Sequence, residues 1–326
     1  SLKILKIKGQ EVANAVTTIL VPAGALGIPY DREALTRGLE HEPDLIAIDG
    51  GSTDSGPFYL GTGNSKYSRA ATKADWADLM AARNIAGVPL LIGTAGTSGA
   101  DSAVDWMLDI TLEIAKERGE TLKIATLKSG QEKQATIKAY TEGAITPLEG
   151  APDLDIQILE QTTNIVALAG TEQIEAALAS GADIIIAGRA TDTAIIAALP
   201  IARGCHKGAA WHGAKIAECG ALATTNPNSG VILMRFDESG FTITPLAEDT
   251  TATPYTVSAH MLYENADPYI LHEPGGWLDV REARYTALDE SSVRVEGSIW
   301  QDTAPYTVKL EAARHAGFQT VSLVLV

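Results

Sequence analysis

An α/β protein with a parallel, Rossmann-like sheet flanked by helices is predicted for this chain, on three observations. Short apolar runs recur through the first two thirds, a small-residue loop follows each, and segments of helical periodicity separate them. Strands covered on both faces read as continuous apolar runs, and their alternation with amphipathic helices builds a parallel sheet.

In chain order the runs are "PDLIAIDG" (43–50), "VPLLIGTAG" (88–96), "TLKIATLKSG" (121–130), "TNIVALAG" (163–170) and "GADIIIAGR" (181–189). Helical spacing fills "SGADSAVDWMLDITLEIAKERG" (98–119), "EKQATIKAYTEG" (132–143) and "TEQIEAALASG" (171–181), with Gly119 and Gly181 suited to left-handed C-caps. Beyond about residue 225 the pattern changes. "GVILMRFDESGFTITPL" (230–246) reads as two strands joined at "DESG", and "SSVRVEGSIW" (291–300), "APYTVKLEA" (304–312) and "FQTVSLVLV" (318–326) are further strand candidates. The turn-forming loop "TTNPNSG" (224–230) therefore divides an α/β domain, residues 1–225, from a smaller strand-rich α+β domain, residues 226–326. The chain stops inside an apolar run, which fits a paired last strand or truncation of a longer protein.

The 326 residues can bury a large core, and 45% apolar with 20% charged residues is ordinary for a globular protein. A formal net charge of −16 without a basic cluster argues against nucleic acid as a partner. The apolar runs are far too short to span a bilayer, and "SLKILKIKGQ" lacks a signal peptide's apolar region. With only Cys205 and Cys219 there is no disulfide framework, so a cytoplasmic setting is expected; a homo-oligomer is expected as well.

In a parallel sheet, ligands bind where the strands end and the loops into the helices converge. That rule selects Asp49, Ser52, Thr53 and Asp54 after the first run, Thr94, Gly96, Thr97 and Ser98 after the second, and Arg189 after "ADIIIAG". The stretch "DGGSTDSGP" (49–57) offers more side-chain oxygens than a helix cap uses. Ser98 and Thr191, taken singly, read as N-caps, and Asp101 and Asp192 as first-turn carboxylates. Arg189 has two readings, an anion site or a salt bridge to Asp49, Asp54 or Asp192. Neither G-x-G-x-x-G after the first strand nor G-x-x-x-x-G-K-[ST] is present, so no dinucleotide or ATP site is indicated.

"RGCHKGAAWHGAKIAECGALA" (203–223) reads as a helix over 209–222, placing His212, Lys215 and Cys219 on one face and letting Lys215 pair with Glu218. Its C-H-x5-H-x6-C spacing has no C-x2-C pair and is a weak zinc signal. Cys219 is either a buried small hydrophobe or a thiol activated by His212 or Lys215. "HMLYENADPYILHEPGGWLDV" (260–280) gathers His260, Tyr263, Glu264, Asp267, His272 and Glu273 near one turn. Glu264 and Asp267 are either acid/base groups across a cleft or solvated helix-end charges.

Several patches in fixed order resemble the acyclic terpene utilisation AtuA-like family. "GADIIIAGRATDTAIIAALP" is similar to that family's "GADIVITGR…D.AL…GP", "WHGAKIAECGALATT" to "GHIIECG.Q.TGG", and "VSAHMLYENADPYIL" to "V.EQLLYEIGDP..Y". The chain departs from it at "GTAGTSGAD" and at His260, where an amide is usual. The resemblance implies a metabolic setting of branched acids or acyl-CoA derivatives, and a small companion subunit or fused domain. It supplies no reaction.

The expected function is proton transfer on a small anionic substrate, a carboxylic acid or its CoA thioester, as a hydratase, dehydratase, lyase or isomerase without a redox cofactor. Arg189, Lys215, Ser52, Thr53, Thr94, Gly96, Thr97 and Ser98 are the candidate binding residues. Asp49, Asp54, Glu218 and Glu264 are the candidate acid/base groups, Asp49 and Asp54 alternatively holding a divalent cation such as Mg²⁺ that steadies an enolate. The alternative is a non-catalytic ligand-binding subunit of a larger complex.

Overall fold

The computed structural model describes residues 16–52 and 55–317. The N-terminal stretch, Thr53, Asp54 and the strand expected over 318–326 lie outside the described residues. The strands are β1 (Thr17–Val21), β2 (Leu45–Asp49), β3 (Leu90–Gly93), β4 (Ile124–Leu127), β5 (Thr162–Ala167), β6 (Ile184–Ala187), β7 (Ile232–Phe236), β8 (Gly240–Pro245), β9 (Ile270–Glu273), β10 (Gly276–Asp279), β11 (Arg284–Ala287), β12 (Val293–Glu296), β13 (Ile299–Asp302) and β14 (Leu310–Arg314). The helices are α1 (Arg32–Leu39), α2 (Pro57–Thr62), α3 (Arg69–Ala86), α4 (Asp101–Arg118), α5 (Lys133–Thr141), α6 (Ile156–Gln161), α7 (Thr171–Ala179), α8 (Ala194–Ala202), α9 (Lys207–Ala217) and α10 (Pro254–His260). Among the described residues no helix is long and apolar enough to cross a membrane.

One nine-stranded sheet runs β11-β12-β8-β7-β1-β2-β3-β6-β4. The β1-β2-β3-β6-β4 half is parallel, and β7, β8, β12 and β11 extend it antiparallel from β1. Strands from both sides of the 224–230 loop thus share one sheet. The hairpin expected around "DESG" is β7–β8, in register from Ile232 against Pro245 to Phe236 against Phe241.

The continuous apolar runs are explained by two cores, one on each face. Ile46, Ile48, Leu90, Ile92, Ile184 and Ile186 point into one, beneath Trp76 and Met80 of α3 and Met107 and Ile110 of α4. Leu45, Ala47, Leu91, Ile185 and Ala187 point into the other, beneath Ile195 of α8 and Trp211 and Ala214 of α9. Because strand side chains alternate in direction, only an uninterrupted apolar run feeds both faces. On α3 the buried Trp76, Leu79, Met80 and Arg83 follow helical spacing; Ser68 caps its start, and Gly87, left-handed at φ 68°, ends it.

The structure corrects two expectations. The run at 163–170, read as part of the parallel sheet, is β5, which pairs antiparallel with β14 in a separate two-stranded sheet. Thr163 is exposed between buried Thr162 and Ile165, so this strand is not covered on both faces as the others are. The strand β1, which the sequence reading passed over, stands at the centre of the nine and joins the parallel to the antiparallel half.

The glycine-rich loops at the carboxyl edge press backbone against backbone. Gly99 sits at φ +65°, and a Cβ there would lie 2.2 Å from the Arg189 nitrogen. Gly119 is equally left-handed at φ +66° but has nothing within 4 Å. Gly119→Ala should cost about 1 kcal/mol, the backbone penalty alone. Gly99→Ala should cost about 3 kcal/mol or more, because a clash is added. Urea denaturation of both variants measures the difference, and equal losses would refute the interlocked-loop account.

Candidate functional site

The carboxyl edge first satisfies itself. Gly50 N–H donates to the Gly93 carbonyl at 2.7 Å, Thr97 N–H to Gly50 at 3.1 Å, Thr94 N–H to Gly188 at 3.0 Å and Arg189 N–H to Gly99 at 3.1 Å. These amides are therefore engaged within the edge itself. The small size of the glycines lets the loops after β2, β3 and β6 bond to one another. Thr94, Gly96, Thr97 and Ser98 are all buried in this interlock and are not among the residues that line the cleft beside it. Thr94 and Thr97 are β-branched yet held at φ 43° and 81°, a strain worth about 1–3 kcal/mol each. The Thr94 hydroxyl donates to the Ala190 carbonyl at 3.2 Å and accepts from the Arg189 guanidinium at 3.3 Å.

A cleft of about 490 Å³ opens beside this interlock. Ser52 comes from the loop after β2; Arg189, Thr191, Asp192 and Thr193 from the loop after β6; Lys215 and Glu218 from the end of α9. Glu264 follows α10, Glu273 ends β9, and Lys309 precedes β14. Of the expected site residues, the fold brings Ser52, Arg189, Lys215, Glu218 and Glu264 onto one wall system, while Asp49 lies just behind them at 6% exposure.

Arg189 follows the salt-bridge reading. Its Nε donates to Glu311 Oε2 at 2.9 Å and its Nη2 to Glu311 Oε1 at 3.3 Å, with Asp192 3.5 Å from Nη1. Glu311 lies far downstream on β14, so no local pattern announced it. Burial opposes ionisation of Glu311, but Arg189 and Lys309 override it and hold its carboxyl down to about 2. Asp49 Oδ2 accepts from the Gly51 N–H at 3.1 Å, and its buried Oδ1 has no hydrogen-bond partner. Burial, reinforced by Asp192, raises Asp49 well above the usual carboxylate range despite Arg189 nearby.

Lys215 and Glu218, three apart, form the expected pair in a closely spaced contact, both nearly buried. Burial pushes Glu218 up to about 8, with Asp192 and Glu273 adding to it against the pull of Lys215. Glu273 accepts from the Thr193 hydroxyl at 2.6 Å, and burial pushes it up to about 7. Thr191 accepts from Ala194 N–H at 3.1 Å and so serves the start of α8, whereas Ser98 is not the cap of α4, whose N-cap is Ala100. Asp267 accepts from the Tyr269 and Ile270 amides at 2.8 and 3.1 Å, a turn-capping role. Glu264 is exposed and left-handed at φ 57° on the cleft rim.

The neighbouring α9 residues are structural. His212 is fully buried, with Nδ1 2.8 Å from the Ser298 hydroxyl and Nε2 3.2 Å from the Tyr285 hydroxyl, and burial takes it down to about 3. Burial, with the Lys215 charge, takes His260 down to about 4. Burial raises the Cys219 thiol, with Glu218 adding to it, which removes the activated-thiol reading. Among the described residues no three His, Cys, Asp or Glu side chains are grouped to hold a metal ion. The expected Asp49–Asp54 cation site has only Asp49 among them.

Sequence reasoning did not single out Glu273 as a proton carrier, Glu311 as the partner of Arg189, or Lys309 as the second cation on Glu311. The one local signal for Glu273 was its place beside the "EPGG" turn at 273–276.

A model of the family described as acyclic terpene utilisation family protein AtuA matches residues 91–326, well over half of the chain. The match covers the β6 loop, α9 and β9, which carry the cleft, and agrees with the resemblance read from the same segments. No curated protein and no solved structure matches the chain.

Two outcomes follow for stability. Glu311→Ala strands a buried guanidinium and should cost about 3–5 kcal/mol, read by denaturation; a loss under 1 kcal/mol would mean that Arg189 finds other partners. Glu218 and Glu273 hold protons in the folded state that the unfolded chain has already released near pH 4.3, so their contribution falls as pH rises toward about 8 and 7. His212 and His260 act oppositely, but only below their unfolded value near 6.5. Between pH 6.5 and 8 the melting temperature should therefore fall as pH rises, and Glu218→Gln should flatten that slope.

Proposed function

We propose that this chain, which belongs to the acyclic terpene utilisation AtuA family, is an enzyme that moves protons on a small carboxylic acid or its thioester. The observation that carries the reading is the pair of carboxyl groups on one cleft wall that burial raises to neutrality or just above it, Glu273 to about 7 and Glu218 to about 8. General acid–base catalysis works best when the proton carriers have values near the operating pH, and two such groups in one cleft can divide the work.

In this reading Glu273, ionised first, takes a proton from the carbon next to the substrate carbonyl, while the Thr193 hydroxyl orients it. Glu218, still protonated, gives its proton to the departing β-hydroxyl, so that a C–H and a C–O bond break, a C=C bond forms and water leaves. Run backwards, the same steps add water; with the proton returned to another carbon of the substrate, they isomerise it. Lys215 and Lys309 supply positive charge where the anionic end and the enolate oxygen need it. Arg189, fixed by Glu311, adds to that field from behind, pairs with Asp192 at 3.5 Å and favours the ionised form of Asp49. Strained Thr94 supports the reading, because backbone strain at such a locus is retained where geometry has to be held.

Turnover of 3-hydroxy acids, enoic acids and their thioesters by the purified chain tests this. Activity should rise through about pH 7 as Glu273 ionises and fall above about pH 8 as Glu218 does. Glu218→Gln and Glu273→Gln should each lower kcat by about 10²–10⁴-fold, with circular dichroism of each variant reading that the fold is retained. Unchanged turnover in both variants would sink the assignment.

A further inference from the structure

A second cavity, of about 510 Å³, shares no lining residue with the cleft. Phe58 of α2, Trp106 in the second turn of α4 and Tyr67 on the connection into α3 line it, together with Asn64, Ser65 and Ser102. Thr97, one of the strained residues of the carboxyl edge, holds this wall: its hydroxyl accepts from the Lys66 N–H at 2.9 Å and lies 3.5 Å from the Ser65 hydroxyl. The Tyr67 ring rests on Gly27, where a Cβ would come within 3.0 Å of it, so one face of the ring is braced by backbone.

The lining combines three aromatic side chains with polar groups. Phe58 is 62% exposed, and the Trp106 indole N–H, the Tyr67 hydroxyl and the Asn64 side-chain amide make no hydrogen bond to any other described residue. Aromatic faces receive a flat ring by stacking, and an amide presents donor and acceptor side by side, as the edge of a purine requires. A hydrocarbon tail would cover those polar edges without satisfying them. Charge selects further. Arg69 borders the cavity, but its guanidinium is engaged by Asp109 and Glu113 at 2.6 Å each, so an anionic group gains little there.

We infer that this cavity is a binding subsite for an uncharged purine-type ring, borne either by a free nucleoside or by a nucleotide-containing carrier. It is separate from the proton-transfer cleft, and its test reads binding without turnover, so either reading can fail alone. Calorimetric titration of the full chain with adenosine and with coenzyme A provides the measurement. Adenosine should bind, and Phe58→Ala and Trp106→Leu should each raise its Kd by about tenfold or more, the usual loss for one stacked base. Asn64→Ala, at an exposed position that leaves the fold intact, should weaken adenosine severalfold. Coenzyme A binding more tightly than adenosine assigns the ring to a carrier, and equal binding assigns it to a nucleoside. Absence of binding by both probes, or an adenosine affinity unchanged in Phe58→Ala and Asn64→Ala, overturns the inference.

Discussion

The rest of the site depends on one constraint: the loops leaving β2, β3 and β6 bond to each other rather than to a ligand. A buried peptide group must be paired, and at this edge Gly50, Thr94, Thr97 and Arg189 find partners in neighbouring loops. Only glycine admits such close approach, as Gly51 shows, where a Cβ would fall 2.6 Å from Thr97 Cα. The consequence is chemical. With these amides consumed, recognition at this edge falls to side chains projecting from the rim, and the rigid interlock is what aims them.

Those side chains are charged and mostly buried, which is costly unless each is answered. Arg189 is answered by a carboxylate from the far end of the chain, Lys215 by its own helix neighbour Glu218. What remains is an excess of acids. Burial and the Asp192 charge raise the proton affinity of Asp49, Glu218 and Glu273 beyond what Arg189 and Lys215 offset. Raised proton affinity is thus a direct product of the fold, and the proposed acid/base role of the cleft rests on it. Stability is surrendered for it, since apolar residues at the same places would cost less.

Much of the architecture was legible in the chain. The runs at 43–50, 88–96 and 181–189 are parallel strands, short apolar stretches bounded by glycine and covered on both faces. The 98–119 helix and its Gly119 cap, the β7–β8 hairpin and the Lys215–Glu218 pair were equally plain, each being an effect of near neighbours. Arg189 was conspicuous for a similar reason, a guanidinium closing an apolar strand.

What the sequence determined by itself, then, is whatever local spacing encodes: which segments are strands or helices, which faces are apolar, and which loops gather polar groups at the sheet's edge. Only the tertiary structure decided partners and environments. It set β5 against β14 instead of in the main sheet, brought Glu311 to Arg189, buried Thr94 and Thr97, and raised Glu273 to a value near neutrality. Strand partnership and proton affinity both depend on groups distant in sequence and on the water excluded between them. Neither quantity exists until the chain has closed on itself.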